Sequence, residues 1–136
     1  MAKKKKPPQT SLNKQILFDT GKGADFSNCG KYRYRLWRIW DESLPLAMCI
    51  GLNPSTANAD TDDPTIINLR KALKVLGFGG VYMMNCWAFI ASKPENLMIN
   101  PMSEEWNNNM ITVTASLCKI VIFAWGNFEI VKEMGR

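Results

Sequence analysis

The sequence predicts an α/β domain, a three-layer sandwich with a mostly parallel central sheet and an antiparallel strand at its N-terminal edge. Three observations lead there. The chain of 136 residues, 46% hydrophobic and 21% charged, has the size and balance of one globular domain. Three short apolar runs, Leu46–Ile50, Val81–Phe89 with Asn85 its one strongly polar member, and Ile120–Ala124, read as buried strands. Segments with helical spacing separate these runs, and such alternation is what a parallel sheet covered by helices on both faces requires.

The elements follow in order. Lys3 to Lys6 supply four of the five net positive charges and precede Pro7 and Pro8, so residues 1–10 read as a solvated, disordered tail ahead of a single domain over 11–136. Ile16, Leu17 and Phe18 suggest a short edge strand. Tyr32, Tyr34 and Leu36 alternate with Lys31, Arg33 and Arg35, the period of a half-buried strand with its arginines facing outward as on a sheet edge. The phase slips at Leu36–Trp37, which predicts a bulge, and Asp41–Pro45 is a turn. Asp63 caps a helix with Pro64 at its first position, Ile66, Leu69, Leu73 and Leu76 forming one face and Gly77 the stop. Ser103, Glu104 and Glu105 open a second helix whose Trp106, Met110, Val113 and Leu117 face the core. Gly126 and Asn127 open a last helical segment.

Composition excludes several chemistries. The sequence has no histidine, so no imidazole can serve as base, proton shuttle or metal ligand within it. No apolar stretch approaches the ~20 residues that cross a bilayer, and the lysine cluster lacks the apolar region of a secretory signal. A cytoplasmic location is expected. Cys29, Cys49, Cys86 and Cys118 show no CxxC spacing, and the expectation is free thiols, no metal and no cofactor.

In parallel sheets ligands gather beyond the carboxyl ends of the strands, which selects Gly51–Thr56, Asn85–Phe89 and Trp125–Asn127. Gly51 permits a sharp turn and close approach to the backbone, Leu52 follows, and Pro54 holds Asn53 extended, so that its amide can donate and accept ahead of Ser55. Asn-Pro-Ser is equally ordinary turn chemistry. Asn85 is the one strongly polar side chain in an apolar run, and an unpaired buried amide costs a few kcal/mol. It needs a partner, either a neighbouring loop or the edge of a nucleobase. Trp87, Phe89 and Trp125 lie near the same ends and offer a stacking surface or simply core. Asp60, Asp62 and Asp63 could hold a divalent metal, although Asp63 is better explained as a helix cap. Lys14, Lys22 and Lys31, with Arg33 and Arg35, could line a phosphate-binding face.

Taken together, YRYRLWRIWD, GLNPSTA, DDPTI, GFGGVYMMN and IVIFAWGN, in that order, resemble an uncharacterised domain family of bacteria and phages over about residues 31–127. That family in turn is similar, distantly, to the uracil-DNA glycosylase superfamily. The resemblance implies a glycosylase-like fold in which Asn53 is the catalytic residue, orienting the attacking water, while Asn85 reads the base edge. Gly51, Leu52, Pro54, Ser55, Trp87 and Trp125 would complete the substrate site. It implies nucleobase, nucleotide or DNA as partner, in base modification or repair. The family's later segment with an Arg-His-Pro-like motif has no counterpart, so the chain reads as a C-terminally truncated member, weak or inactive alone, with an open sheet edge that a second copy could cover. The alternative is a non-catalytic binding module, its GLNPSTA loop structural and its lysine tail weakly attracting nucleic acid.

Overall fold

Five strands and two helices form within residues 21–55, 57–91 and 101–125, the residues described by the computed structural model. The order is β1 (Lys22–Phe26), β2 (Arg33–Ile39), β3 (Leu46–Gly51), α1 (Pro64–Val75), β4 (Gly80–Asn85), α2 (Pro101–Ala115) and β5 (Ile120–Phe123). In space the strands run β1-β2-β4-β3-β5. β3 is parallel to β4 and to β5, but β2 is antiparallel to both β4 and β1.

The sheet is therefore mixed. The expected mostly parallel sheet of a glycosylase-like three-layer sandwich is not what forms, because β2 inserts antiparallel beside β4 and brings β1 with it. Two helices are present among the described residues, one on each face. Alternation along β3 and β4 decides which residues meet which helix. Ala47, Cys49, Val81 and Met83 pack with Ile66 and Leu73 of α1. Met48, Ile50, Tyr82 and Met84 pack with Met110 and Val113 of α2. Burial on both faces explains why β3 and β4 read as continuous apolar runs.

Asp63 does cap α1: its carboxylate accepts from the Ile66 N–H at 3.0 Å, and Pro64 stands in the first turn, where a missing N–H costs nothing. Gly77 ends the helix at φ +86°, a left-handed conformation that glycine adopts without strain. The Asp41–Pro45 turn is also present, with Asp41 accepting from Ser43 through both N and Oγ.

Other expectations need correction. β2 runs in unbroken register with β4 from Leu36↔Met83 to Ile39↔Gly80, so Leu36–Trp37 is not a bulge; the irregularity lies against β1, where Asp25 faces Arg35 but Phe26 faces Arg33. β4 stops at Asn85, and beyond it Phe89 makes only an isolated bridge to Tyr32. β5 is shorter than expected and only half-buried, with Phe123 exposed. α2 starts two residues before Ser103, at Pro101. The edge strand expected at Ile16–Phe18, the tail over 1–10, Lys14 and the helical segment from Gly126 lie outside the described residues.

Gly79 shows how tightly the β2–β3 turn sits on the sheet. Its N–H donates to Pro45 O, its carbonyl accepts from Trp40 and Asp41, and a Cβ there would overlap the Asp41 carbonyl and sit 2.8 Å from Leu44 Cβ. Gly79→Ala should cost about 2–3 kcal/mol of unfolding free energy in urea titrations, since overpacking a fixed backbone has no easy relief. Gly77→Ala, facing open space with only its positive φ to strain, should cost about 1 kcal/mol. Equal losses would refute the crowding argument.

Candidate functional site

The parallel strands β3 and β4 end side by side, Gly51 opposite Asn85, and the segments leaving them stay together. Cys86 N–H donates to Gly51 O, Trp87 N–H to Leu52 O, and Ala91 N–H to Pro54 O, at 2.9–3.0 Å. Asn53 adds its side chain to this stitching, donating through Nδ2 to Ala91 O at 2.6 Å and to Pro54 O at 3.1 Å. The GLNP segment is thus a rigid platform held by backbone and amide bonds, with Asn53 Oδ1 left as an acceptor.

Asn85 is almost completely buried. With its amide nitrogen assigned to the side that faces acceptors, it donates to the backbone oxygens of Asn53 at 3.3 Å and Met84 at 3.2 Å. The partner that this buried amide needs is therefore the neighbouring loop. A Cβ at Gly51 would stand 2.9 Å from the Asn85 amide and 2.8 Å from Met83 Cε, so a larger residue there would have to displace these two side-chain ends.

Asn53, Pro54, Ser55 and Asn85 line one side of a cleft of about 60 Å³; Asp63, Thr65 and Ile66, from the start of α1, line the other, with Met83 and Arg33 completing it. Of the residues expected at the site, these four meet. Leu52 turns into the core on the α2 side and so does Trp87, which is 1% exposed. Trp125 lies against Phe123 at the β5 edge, ring centroids 4.9 Å apart, and Phe89 packs edge-on against Tyr32. None of these aromatics lines the cleft.

Arg33 was expected to face outward, yet it is 3% exposed, and Arg35 and Arg38 are buried with it. The reason is that β2 is an interior strand: the segment from Ala57 to Asp62 covers Arg33 and Arg38, while Arg35 lies against the Trp37 and Tyr82 rings of the α2-side core. Arg38 holds that segment through Asn58 O at 2.6 Å, Thr61 O at 3.3 Å and the Asp62 carboxylate at 2.7 Å; Arg70 reaches the same carboxylate at 2.6 Å. Arg35 pairs with Asp25 at 2.7 Å and lies over the Trp37 ring. Arg33 has no carboxylate within 4 Å among the described residues. Its Nη1 donates to Ala57 O at 2.8 Å, Nε is buried without a partner, and Nη2 has none either. Burial pushes this guanidinium down to about 10, with the charge of Asp63 opposing and that of Arg38 adding to the effect.

Residues 33–136 match the family described as a protein of unknown function, DUF1643. The chain belongs to the DUF1643 family. No curated protein and no solved structure matches it. The DUF1643 segment begins at Arg33 and takes in every residue of the cleft, whereas β1 precedes it.

Within the DUF1643 domain one further residue was missed by sequence reasoning. Asn107, fully buried on α2, donates from Nδ2 to Asn85 O at 2.8 Å and to Cys86 O at 3.4 Å, holding the end of β4 from the face opposite the cleft. Three consecutive asparagines, 107 to 109, look like solvated helix surface, which hid it. The Asp60–Asp63 cluster is divided: Asp62 serves Arg38 and Arg70, Asp63 caps α1, and no group of three or more metal-ligating side chains is found among the described residues. No helix among them is long and apolar enough to cross a membrane.

Proposed function

We propose that this DUF1643 domain is a nucleotide-recognising module whose ligand enters the cleft between the β3 and β4 carboxyl ends and the N-terminus of α1. The observation that supports this most is the convergence there of donors and acceptors from three separate segments: Arg33, the Asn53 and Ser55 platform, and the first turn of α1. A nucleotide, which joins an acceptor-only phosphate to a base edge carrying both donors and acceptors, is the kind of ligand such a lining suits. Binding is favoured over catalysis. An amide has no useful pKa for moving a proton, and the carboxylate in the cleft, Asp63, is engaged by the Ile66 N–H and by Ser55 Oγ at 3.3 Å.

Titrating the four common nucleoside monophosphates into the ¹⁵N-labelled chain tests the reading. Shifts concentrated at Gly51–Ser55, Asn85 and Thr65–Ile66 are expected. Shifts confined to residues 1–8, abolished by deleting them and by moderate salt, would instead support a charge-only polyanion tether.

A further inference from the structure

Within that nucleotide reading, on which this step rests, we infer that the group entering the cleft is the phosphate, seated on the Nε/Nη2 edge of Arg33, with the base left at the rim. Three features lead there. The first is the unused edge itself. A guanidinium offers parallel N–H pairs that match two oxygens of a phosphate or carboxylate, and in Arg33 the Nη1 side is spent on Ala57 while the Nε and Nη2 donors are unpaired among the described residues. Buried polar groups are nearly always satisfied, so an orphaned cationic donor in a cleft wall asks for an acceptor.

The second feature is the start of α1. Pro64 has no N–H, Ile66 N–H goes to the Asp63 carboxylate and Ile67 N–H to the Asp63 carbonyl, leaving Thr65 N–H without a partner among the described residues. A free N–H at a helix N-terminus adds to anion affinity. The third is size. About 60 Å³ is several times the roughly 10–15 Å³ that admits one water, yet it falls far below the ~300 Å³ of ordinary small-molecule pockets. A tetrahedral oxyanion matches that space better than a whole ring. Asp63 stands in the same wall, but its oxygens are turned to Ile66 and Ser55.

The test follows the Arg33 Nε–H resonance and calorimetric affinity during titration of the unmodified chain with inorganic phosphate, ribose 5-phosphate, a nucleoside and its 5′-monophosphate. Inorganic phosphate should move the Nε–H signal, and the monophosphate should bind at least about tenfold tighter than the nucleoside, some 1.4 kcal/mol. Arg33→Lys, which keeps the charge and loses the fork, should remove most of that preference. Should the variant fail to fold, the resonance of the parent chain decides. A nucleoside binding as tightly as its monophosphate, with Nε–H unmoved by phosphate, overturns the inference and leaves nucleotide recognition standing. Phosphate and ribose 5-phosphate binding at Arg33 as tightly as the nucleotide would uphold the anion seat and overturn the nucleotide reading.

Discussion

Replacing Arg38 by methionine is expected to lower the unfolding free energy by about 3 kcal/mol, the order found when one member of a buried ionic network is removed. Arg38 is 2% exposed, and its side chain satisfies Trp37 O, Asn58 O, Thr61 O and one oxygen of Asp62. Methionine fills much of the volume but donates nothing, so those acceptors lose their partner while still covered. Asp62 keeps Arg70, which limits the loss. The same network sets a pH dependence. Burial alone would raise the Asp62 carboxyl, but the hydrogen bonds and charges of Arg38 and Arg70 outweigh it and hold the group below its ordinary value. A depressed folded pKa stabilises above the unfolded value of about 3.9 and loses that contribution as pH falls through the folded pKa. The gap between parent and Arg38→Met in urea midpoints should therefore be full at neutral pH and narrow below about pH 4. A loss under about 1 kcal/mol, or a gap that widens in acid, would show that these contacts do not hold the Ala57–Asp62 segment.

Arg38 also marks the boundary of what the sequence makes legible. Local signals carried far: Asp63-Pro64 located the start of α1 and Gly77 its end, because capping and left-handed backbone depend on neighbours along the chain. The apolar runs found β3 and most of β4, since burial on both faces leaves no polar positions. What a strand pairs with is not written in the strand. Arg33 and Arg35 read as the wet side of an edge; β2 is instead flanked by β1 and β4, and its arginines, Arg38 included, reach carbonyls and carboxylates distant in sequence. Antiparallel insertion of β2 is the same omission at the level of topology. The site shows it again. Asn53 and Asn85 were placed at one pair of strand ends from the parallel reading of β3 and β4, and that pairing exists. Their amides turn out to be tied to backbone oxygens, and the unspent donors belong to Arg33, which only the folded arrangement brings there. One signal was available: a strand carrying three arginines with acidic residues, Asp25 and Asp62, on either side of it in the sequence already holds the counter-charges for an interior position.

Asn107→Asp provides the second large effect, and a clean one because the side chain keeps its shape. At neutral pH the new carboxylate would replace a donor by an oxygen facing Asn85 O, now 2.8 Å from Nδ2, at a position with no solvent exposure. Two acceptors at that distance repel, and Oδ1 already lacks a partner, so no nearby donor is in place to compensate. The expected cost is about 3–5 kcal/mol, as for an uncompensated buried charge. Its pH dependence runs opposite to that of Asp62. A carboxyl held neutral by burial has a raised folded pKa, so the folded state binds the proton more strongly than the unfolded one and stability rises as pH falls. Protonation also restores a donor toward Asn85 O. The variant should therefore recover part of its loss between neutral pH and about pH 4.5, while the parent does not. Because Asn107 holds β4 from the side opposite the cleft, the variant at neutral pH should also bind nucleoside monophosphates more weakly than the parent and regain affinity in the same acid range, relative to the parent measured alongside. Recovery of stability without recovery of binding would mean that the position of the β4 end does not govern the cleft. A variant as stable as the parent at neutral pH would mean that Asn107 does not hold that end at all.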